Sequence, residues 1–329
     1  MEGNREYERA VAPKDKKAQD KENEECVDIS LVKSLKRECK VETRAIEVDG
    51  KKIYYLSVGN GNKEIIMIHG AGLSSAKDFT TFICDISEDY RVVVPDLPGF
   101  GMNSGIKADY TIDYYANFLS KFINATGLKK PAIIAQSMGG GIALKYALSN
   151  KESVDKLVLI NSYGMIKKFP CHALYYMSFC LPIVGEQILK LALKTRWLKR
   201  YILGLFMPDG INIDNELIKR FDTERGFNKL NATFEILKDE IMFNSLKSCF
   251  TGSFTDINFP TMVIHGENDT LFSKDTSENA VKSIPNYKDG ISKFEVLRKQ
   301  KHNLNEQGMK RAERLVIAFL MRDIKRHDL

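Results

Sequence analysis

The stretch IIAQSMGGGIALKYA, residues 133–147, joins a short apolar run to an alanine- and leucine-rich helical pattern, with Ser137 at the junction. A short continuous apolar run is typical of a strand buried on both faces of a parallel sheet. The turn from such a strand into a helix lies at the carboxyl edge of the sheet, where open α/β folds bind ligands. Small residues at Ala135, Gly139 and Gly140 leave room for a tight turn. We therefore expect Ser137 to be exposed on a sharp strand-to-helix turn.

Two interpretations of Ser137 fit this position. A serine at the start of a helix often caps the first turn. A serine on a strained turn can instead act as a nucleophile when a base lies beside it, and the helix N-terminus offers free N–H groups to an anion. Because short patterns such as Ala-Gln-Ser-Met-Gly recur by chance, the other motifs of the chain must decide between the two.

Further apolar runs predict the rest of the sheet. Two alternating segments on either side of Asp49–Gly50 predict an antiparallel hairpin, and KFEVL near the C-terminus predicts a last strand. Between the strands lie helical segments, one of which ends at Gly127. This alternation predicts an α/β fold with a doubly wound, mostly parallel eight-stranded sheet. Its central strands are EIIMI (64–68), RVVVP (91–95), PAIIA (131–135), KLVLI (156–160) and TMVIH (261–265).

The strand–helix rhythm breaks once, and this break defines the predicted domains. Residues 164–250 show helical patterns without a buried strand, which predicts a helical cap inserted into a core formed by 41–163 and 251–329. Residues 1–40 begin with a run of mixed charges that lacks apolar periodicity, so we expect a polar tail that is partly disordered or helical.

Composition excludes several classes of protein. The formal net charge of +6 is spread over 329 residues, without a dense basic block interleaved with aromatics, so no nucleic-acid partner is expected. There is no apolar leader and no run long enough to span a membrane. We expect a cytoplasmic protein with reduced thiols, no metal and no cofactor, because no CxxC pair or Cys/His ligand spacing joins its cysteines. These are Cys26, Cys39, Cys84, Cys171, Cys180 and Cys249.

Three more motifs follow predicted strands and point to one chemistry. The sequence HGAG, residues 69–72, is a glycine-rich turn that can aim a backbone N–H at the same point as the N–H of Met138. Two converging amides form an oxyanion hole. Asp269 follows the last strong apolar strand, and His302 follows the final strand. Serine, then aspartate, then histidine, each at a strand end, is the chain order of a known catalytic triad.

With these motifs the chain resembles the α/β-hydrolase fold superfamily, in its branch of capped serine hydrolases of the esterase and lipase type. The resemblance covers residues 41–165 and 251–325 and implies a cap after the sixth strand. It also implies site residues: Ser137 as the nucleophile, His302 as general base and acid, Asp269 as the group that orients His302, and the amides of Ala71 and Met138 as the oxyanion hole.

The chain departs from the family pattern at two positions. Ala135 stands where the family usually has the first glycine of Gly-x-Ser-x-Gly, and because alanine is also small we expect the turn to be kept. Lys301 stands where a glycine usually precedes the histidine, which affects the shape of that loop.

Other titratable residues compete for the same roles. Asp96 also lies at a strand end, but it precedes Ser137 and matches a structural turn of the family. Asn161 occupies the place where some members carry the acid, and an amide cannot do that work. Histidines at strand ends beside glycine, His69 and His265, fit hydrogen bonding within their own loops. Two further histidines are assigned to the cap and to the C-terminal tail, namely His172 and His327.

The predicted function is hydrolysis of a small-molecule carboxylic ester with a medium or long apolar acyl chain, through an acyl-enzyme on Ser137. Related dehalogenases and epoxide hydrolases carry aspartate as nucleophile, so Ser137 argues against both. Two alternatives stay open: a carbon–carbon bond hydrolase of the meta-cleavage type, and a non-catalytic ligand-binding member of the fold. The sequence leaves the oligomeric state undetermined.

The cap contains a stretch with two interpretations. Residues 186–206 are rich in leucine, isoleucine and aromatics and carry five basic residues against one acid. Apolar residues occur on most sides of a helical wheel, which favours packing as a wall of an acyl pocket. The alternative is weak peripheral contact with a membrane through the basic face.

Overall fold

A computed structural model describes residues 40–72, 74–86, 89–169, 195–197, 200, 218–219 and 223–322. The predicted tail up to residue 39, most of the predicted cap before residue 223, and the two histidines assigned to cap and tail lie outside the described residues. No helix among the described residues is long and apolar enough to cross a membrane.

One eight-stranded sheet organises the core, as the sequence predicts. The strands are β1 (Glu42–Val48), β2 (Lys51–Val58), β3 (Lys63–Ile68), β4 (Tyr90–Pro95), β5 (Ala132–Gln136), β6 (Leu157–Ile160), β7 (Thr261–Gly266) and β8 (Lys293–Leu297). Their spatial order is β1-β2-β4-β3-β5-β6-β7-β8. The first two strands pair antiparallel, β2 pairs antiparallel with β4, and every later pairing is parallel.

The opening hairpin turns at Asp49–Gly50, where the sequence places it. Both residues have positive φ, 51° and 70°, and Val48 pairs directly with Lys51 across the turn. Positive φ at both central residues is what a two-residue hairpin of right-handed twist requires, and the Asp-Gly pair supplies it at low conformational cost.

Helices cover both faces of the sheet. In the described part of the chain the helices with defined bounds are α1 (Thr80–Ile86), α2 (Ile112–Thr126), α3 (Met138–Ser149), α4 (Glu224–Glu240), α5 (Lys274–Lys282) and α6 (Glu306–Leu320). Thr111 caps α2 by accepting a hydrogen bond from the N–H of Tyr114, and Gly127 ends the same helix with φ of 72°. Thr223 caps α4 by accepting from the N–H of Gly226.

Two apolar cores lie on opposite faces of the sheet. One packs the sheet against α2, α3 and α5, with Tyr115, Phe122 and Ile142 fully or almost fully buried. The other packs it against α1 and α6 through residues such as Phe82 and Val316. Because both faces are covered, only the strand ends are left for ligands, and the carboxyl edge carries the candidate site.

The chain leaves the core after β6 and returns to it just before residue 251. The outgoing and returning segments lie side by side: the N–H of Leu246 donates to the carbonyl of Lys167 at 2.8 Å, and that of Phe250 donates to Gly164 at 2.7 Å. Between them, α4 is the described helix of the predicted cap, beside short described pieces at 195–197, 200 and 218–219. The exact limits of the cap stay a prediction, since most of residues 170–222 lie outside the described part.

Two details differ from sequence expectation. Trp197, in the basic stretch that we expected to pack, is 69% exposed, so packing on several sides does not describe this residue. Cys84 is disulfide-bonded, so the expectation of reduced thiols is wrong for this residue, whereas Cys249 is a free thiol. Spacing along the chain does not reveal such a bond, because the fold decides which sulfur atoms meet.

Candidate active site

Ser137 lies on a strained turn between β5 and α3. Its φ of 51° and ψ of −123° are unusual for a residue with a side chain, and such a conformation costs about 1–3 kcal/mol. Backbone hydrogen bonds hold it there: its N–H donates to the carbonyl of Ile160 at 3.0 Å, and its carbonyl accepts from the N–H of Tyr163 at 2.9 Å. The surrounding structure thus fixes the serine in an orientation that a relaxed helix cap does not need.

Glycines after Ser137 let α3 approach the sheet. A Cβ at Gly139 would lie 2.4 Å from the carbonyl oxygen of Ile68, and one at Gly140 would lie 1.8 Å from Oγ of Ser162. Neither site can accept a larger residue without movement of its neighbours. Ala135, two residues before Ser137, is fully buried, and the tight turn forms with alanine there.

The three predicted triad residues meet at the carboxyl edge of the sheet. The hydroxyl of Ser137 lies 2.8 Å from Nε2 of His302, and Nδ1 of His302 lies 2.9 Å from Oδ2 of Asp269. With Nδ1–H donating to the carboxylate, Nε2 is left as the acceptor for the serine proton. The arrangement can therefore move a proton from Ser137 to His302 while the carboxylate stabilises the resulting imidazolium.

Asp269 is held as a carboxylate. Its side chain is fully buried, and its Oδ1 accepts from the N–H groups of Leu271 at 2.8 Å and Phe272 at 3.1 Å. Burial alone would raise the pKa of this carboxyl. The hydrogen bond and charge of His302, together with the two backbone amides, outweigh burial and lower the pKa below its ordinary value. The group that faces His302 is thus charged at neutral pH.

An aromatic wall flanks the histidine. The ring of Phe272 meets His302 edge-on, with centroids 4.8 Å apart, and also packs against Phe169 and Tyr163 at 6.2 and 6.0 Å. Tyr163 in turn stacks on Phe169. This wall holds the imidazole plane on one side and presents apolar surface next to the reactive atoms.

Asn161 holds the histidine loop, a role that sequence reasoning missed. Its fully buried side chain donates from Nδ2 to the carbonyls of His302 at 2.5 Å and Lys301 at 3.1 Å. Its Oδ1 accepts from the N–H of Gly266 at 2.7 Å. The asparagine has φ of 42°, a conformation that asparagine tolerates better than most residues. The amide of Asn161 cannot serve as the triad acid, as the sequence predicts. Its hydrogen bonds instead tie the ends of β6 and β7 to the loop that carries His302.

Of the two predicted oxyanion donors, Met138 follows Ser137 in the chain and Ala71 belongs to the loop after β3. Met138 is the first residue of α3, so its N–H has no acceptor within the helix. The loop after β3 passes directly over the serine, because a Cβ at Gly70 would lie 3.1 Å from Cβ of Ser137. Ala71, the next residue, is partly buried against the core.

His69 fixes the orientation of this loop. Its Nε2 lies 3.0 Å from the N–H of Leu97 and accepts from it, so Nδ1 carries the proton and donates to the carbonyl of Gly70 at 2.7 Å. Burial lowers the pKa of His69, which keeps the ring neutral. Since the C=O and N–H of one trans peptide point in opposite directions, this bond also sets where the Ala71 N–H points.

The remaining competitors for catalytic roles are engaged elsewhere. The carboxylate of Asp96 accepts from the N–H of Ala76 at 2.7 Å and from that of Met102 at 2.8 Å, so it joins two loops. Nδ1 of His265 lies 3.0 Å from the carbonyl of Gly266 and donates to it, while its fully buried Nε2 makes no hydrogen bond. Burial lowers the pKa of His265 and so keeps the ring neutral.

In the described part of the chain, no group of three or more histidine, cysteine, aspartate or glutamate side chains is arranged to hold a metal ion.

The chain is similar in sequence to a known family and to several known proteins. The sequence model of a family described as "alpha/beta hydrolase fold" matches residues 64–308. The chain is 27% identical over 257 residues to 2-hydroxy-6-oxo-6-(2'-aminophenyl)hexa-2,4-dienoic acid hydrolase of Metapseudomonas resinovorans, covering 74% of this chain and 80% of that protein. It is 28% identical over 239 residues to Lipase 3 of a Moraxella species, covering 72% of each.

Among solved structures, carboxylesterase CesB of Bacillus subtilis superposes with a TM-score of 0.68. The match covers 93% of this chain and all of that one at 17% identity, so the likeness concerns the fold alone.

Proposed function

Because the chain belongs to the α/β-hydrolase fold family, we propose that it is a serine hydrolase that cleaves carboxylic esters through an acyl-enzyme on Ser137. The single observation that supports this most is the hydrogen-bond chain from Ser137 through His302 to Asp269. Those three side chains come from three distant parts of the sequence, and a helix-capping serine needs neither of the other two.

The proposed reaction uses this chain's own groups in two steps. Oγ of Ser137 attacks the ester carbonyl and gives its proton to Nε2 of His302. The N–H groups of Ala71 and Met138 donate to the oxygen that becomes negative. His302 then protonates the departing alcohol, and the acyl group stays on the serine. In the second step His302 takes a proton from water, the resulting hydroxide attacks the acyl-enzyme, and His302 returns the proton to Oγ of Ser137 as the bond to the acyl group breaks and the carboxylic acid leaves.

An apolar acyl chain is the proposed substrate portion. The support is the aromatic wall, in which Phe272 lies against His302 and Tyr163 and Phe169 pack against Phe272. Apolar pockets with few convergent polar groups are typical of small-molecule sites. The name of one similar protein, Lipase 3 of a Moraxella species, agrees with ester cleavage.

A second candidate is hydrolysis of a carbon–carbon bond. The observation that favours it is the similarity to the hexa-2,4-dienoic acid hydrolase of Metapseudomonas resinovorans, of which the match covers 80%. The same three side chains could serve this chemistry, since His302 can move protons to and from a carbon leaving group as well as an oxygen one.

A panel of p-nitrophenyl esters with increasing acyl length, run beside a vinylogous diketone acid, separates the two candidates. For an apolar pocket, kcat/KM rises with acyl length, because each buried methylene contributes up to about 0.8 kcal/mol, or nearly fourfold. A preference for acetyl over octanoyl esters would contradict the apolar pocket. Turnover of the diketone far above every ester would move the assignment to carbon–carbon cleavage.

A further inference from the structure

The cap helix α4 contacts two loops, the one after β3 that passes over Ser137 and the one after β4. Oγ1 of Thr233 accepts a hydrogen bond from the N–H of Gly72 at 2.9 Å. One residue earlier, Ala232 packs against the loop after β4, where a Cβ at Gly99 would lie 2.9 Å from its own Cβ. The helix is therefore in direct contact with the backbone that shapes the candidate site.

The hydroxyl of Thr233 donates one hydrogen bond and accepts another. Its proton goes to the carbonyl of Lys229, one turn earlier in α4, at 2.8 Å. Only its lone pairs are left for the loop, and one of them meets the Gly72 N–H. A serine at this position could make both bonds, whereas a valine of the same shape could make neither.

These contacts hold Ala71 from both sides. His69 fixes the peptide between Gly70 and Ala71 through the carbonyl of Gly70. Thr233 fixes the next peptide, between Ala71 and Gly72, through the N–H of Gly72. Since peptides are planar, fixing the two that flank a residue fixes its φ and ψ. The direction of the Ala71 N–H thus depends on one group in the core and one group in the cap.

We propose that Thr233 is a positioning residue through which the cap sets the oxyanion donor of Ala71. The inference rests on the proposed function, in which that N–H stabilises the transition state.

The test compares Thr233→Val with Thr233→Ser, and uses Thr223→Val as a matched control. The control makes the same substitution at the N-cap of the same helix. It removes a hydrogen bond of similar length, 3.0 Å from the N–H of Gly226, and leaves the bond to Gly72 in place. Turnover is measured on the best p-nitrophenyl ester, and affinity is measured for a trifluoromethyl ketone with the same acyl chain. That ketone binds as a hemiketal oxyanion, so its affinity reports on the oxyanion hole.

We expect Thr233→Val to lower kcat about tenfold, less than the 100- to 1000-fold loss of a whole oxyanion donor, because the N–H is misdirected but present. KM stays within about twofold, the ketone's affinity falls by the same factor as kcat, and Thr233→Ser restores both. Thr223→Val leaves kcat near the parent value while lowering the melting temperature.

Three results would overturn the inference. Thr233→Val keeps the parental kcat, Thr233→Val and Thr223→Val lose kcat equally, or Thr233→Val raises KM while leaving kcat unchanged. A parent protein that turns over no ester and does not bind the ketone would instead remove the proposed function itself, and the inference with it.

Discussion

Replacing Asn161 by aspartate tests how the His302 loop is held. The change keeps shape and the tolerance for positive φ, and one oxygen can still accept from the Gly266 N–H. The other oxygen replaces an NH₂ group that donates to the carbonyls of Lys301 and His302. Two acceptors then lose their donor and face a negative charge.

The expected loss follows from the burial of these groups. A buried acceptor left without a donor costs about 1–3 kcal/mol, and the bond to Lys301 is only part-buried, so we expect about 2–4 kcal/mol of lost unfolding free energy near pH 8. Because small displacements of reacting groups can cost up to about a hundredfold, kcat should fall by about 10- to 100-fold.

The loss should depend on pH, with a defined sign. A carboxylate between two carbonyls has a raised pKa in the folded state, above its unfolded value of about 3.9. Its favourable contribution is present below the unfolded pKa, where the protonated group can donate one hydrogen bond, and is lost as pH rises through the folded pKa. The deficit of Asn161→Asp against the parent therefore grows as the pH is raised.

Denaturant unfolding of parent and variant at about pH 5 and pH 8 measures this deficit. Asn305→Asp is the matched control: Asn305 caps α6 by accepting from the N–H of Gly308, and aspartate caps as well as asparagine. A variant at 161 as stable as the parent at pH 8, or one that gains stability with rising pH, would refute the role assigned to Asn161.

Two further predictions concern carboxylates. Asp269→Asn should lower kcat by about 10⁴-fold with little change in melting temperature, as loss of the correct histidine orientation does in comparable triads. Asp96→Asn should instead mainly lower the free energy of unfolding, by about 1–3 kcal/mol. Kinetics and thermal melts that show the reverse pattern would move the triad acid to Asp96. Burial, followed by the neighbouring Asp85, raises the pKa of Glu313 to about 8. The protonated group therefore adds stability that is fully present below about pH 4.5 and is lost as the pH rises through 8. The melting temperature of Glu313→Gln should rise relative to that of the parent as the pH increases from about 4.5 to 8, whereas that of Glu306→Gln, an exposed position on the same helix, should not. The same pH dependence of melting temperature in both variants would contradict the assignment.

Local sequence patterns suffice for the sheet and for the order of the site residues. The hairpin at Asp49–Gly50 is set by residues adjacent in the chain, and the buried strands are recognisable as apolar runs. Ser137 and His302 each follow such a strand, and the carboxyl ends of parallel strands share one edge. Their meeting is thus a consequence of topology, which the sequence predicts.

The supporting contacts could not be predicted in the same way, because they join residues far apart in the chain. Asn161 looks like an ordinary polar residue after a strand, and only the folded loop brings the carbonyl of His302 to its amide. Thr233 and Gly72 are 161 residues apart and meet because α4 packs against the loop after β3. Cys84 likewise gives no local sign of its disulfide.

Covalent labelling at Ser137 tests the central claim most directly. The parent and Ser137→Ala are treated with a fluorophosphonate, and the adduct is located by mass spectrometry of peptides while ester turnover is followed in parallel. The account predicts one adduct, on Ser137, with loss of turnover in proportion to labelling, and neither labelling nor turnover in the folded Ser137→Ala variant. An adduct on another residue, or ester hydrolysis by Ser137→Ala at the parental rate, would contradict it.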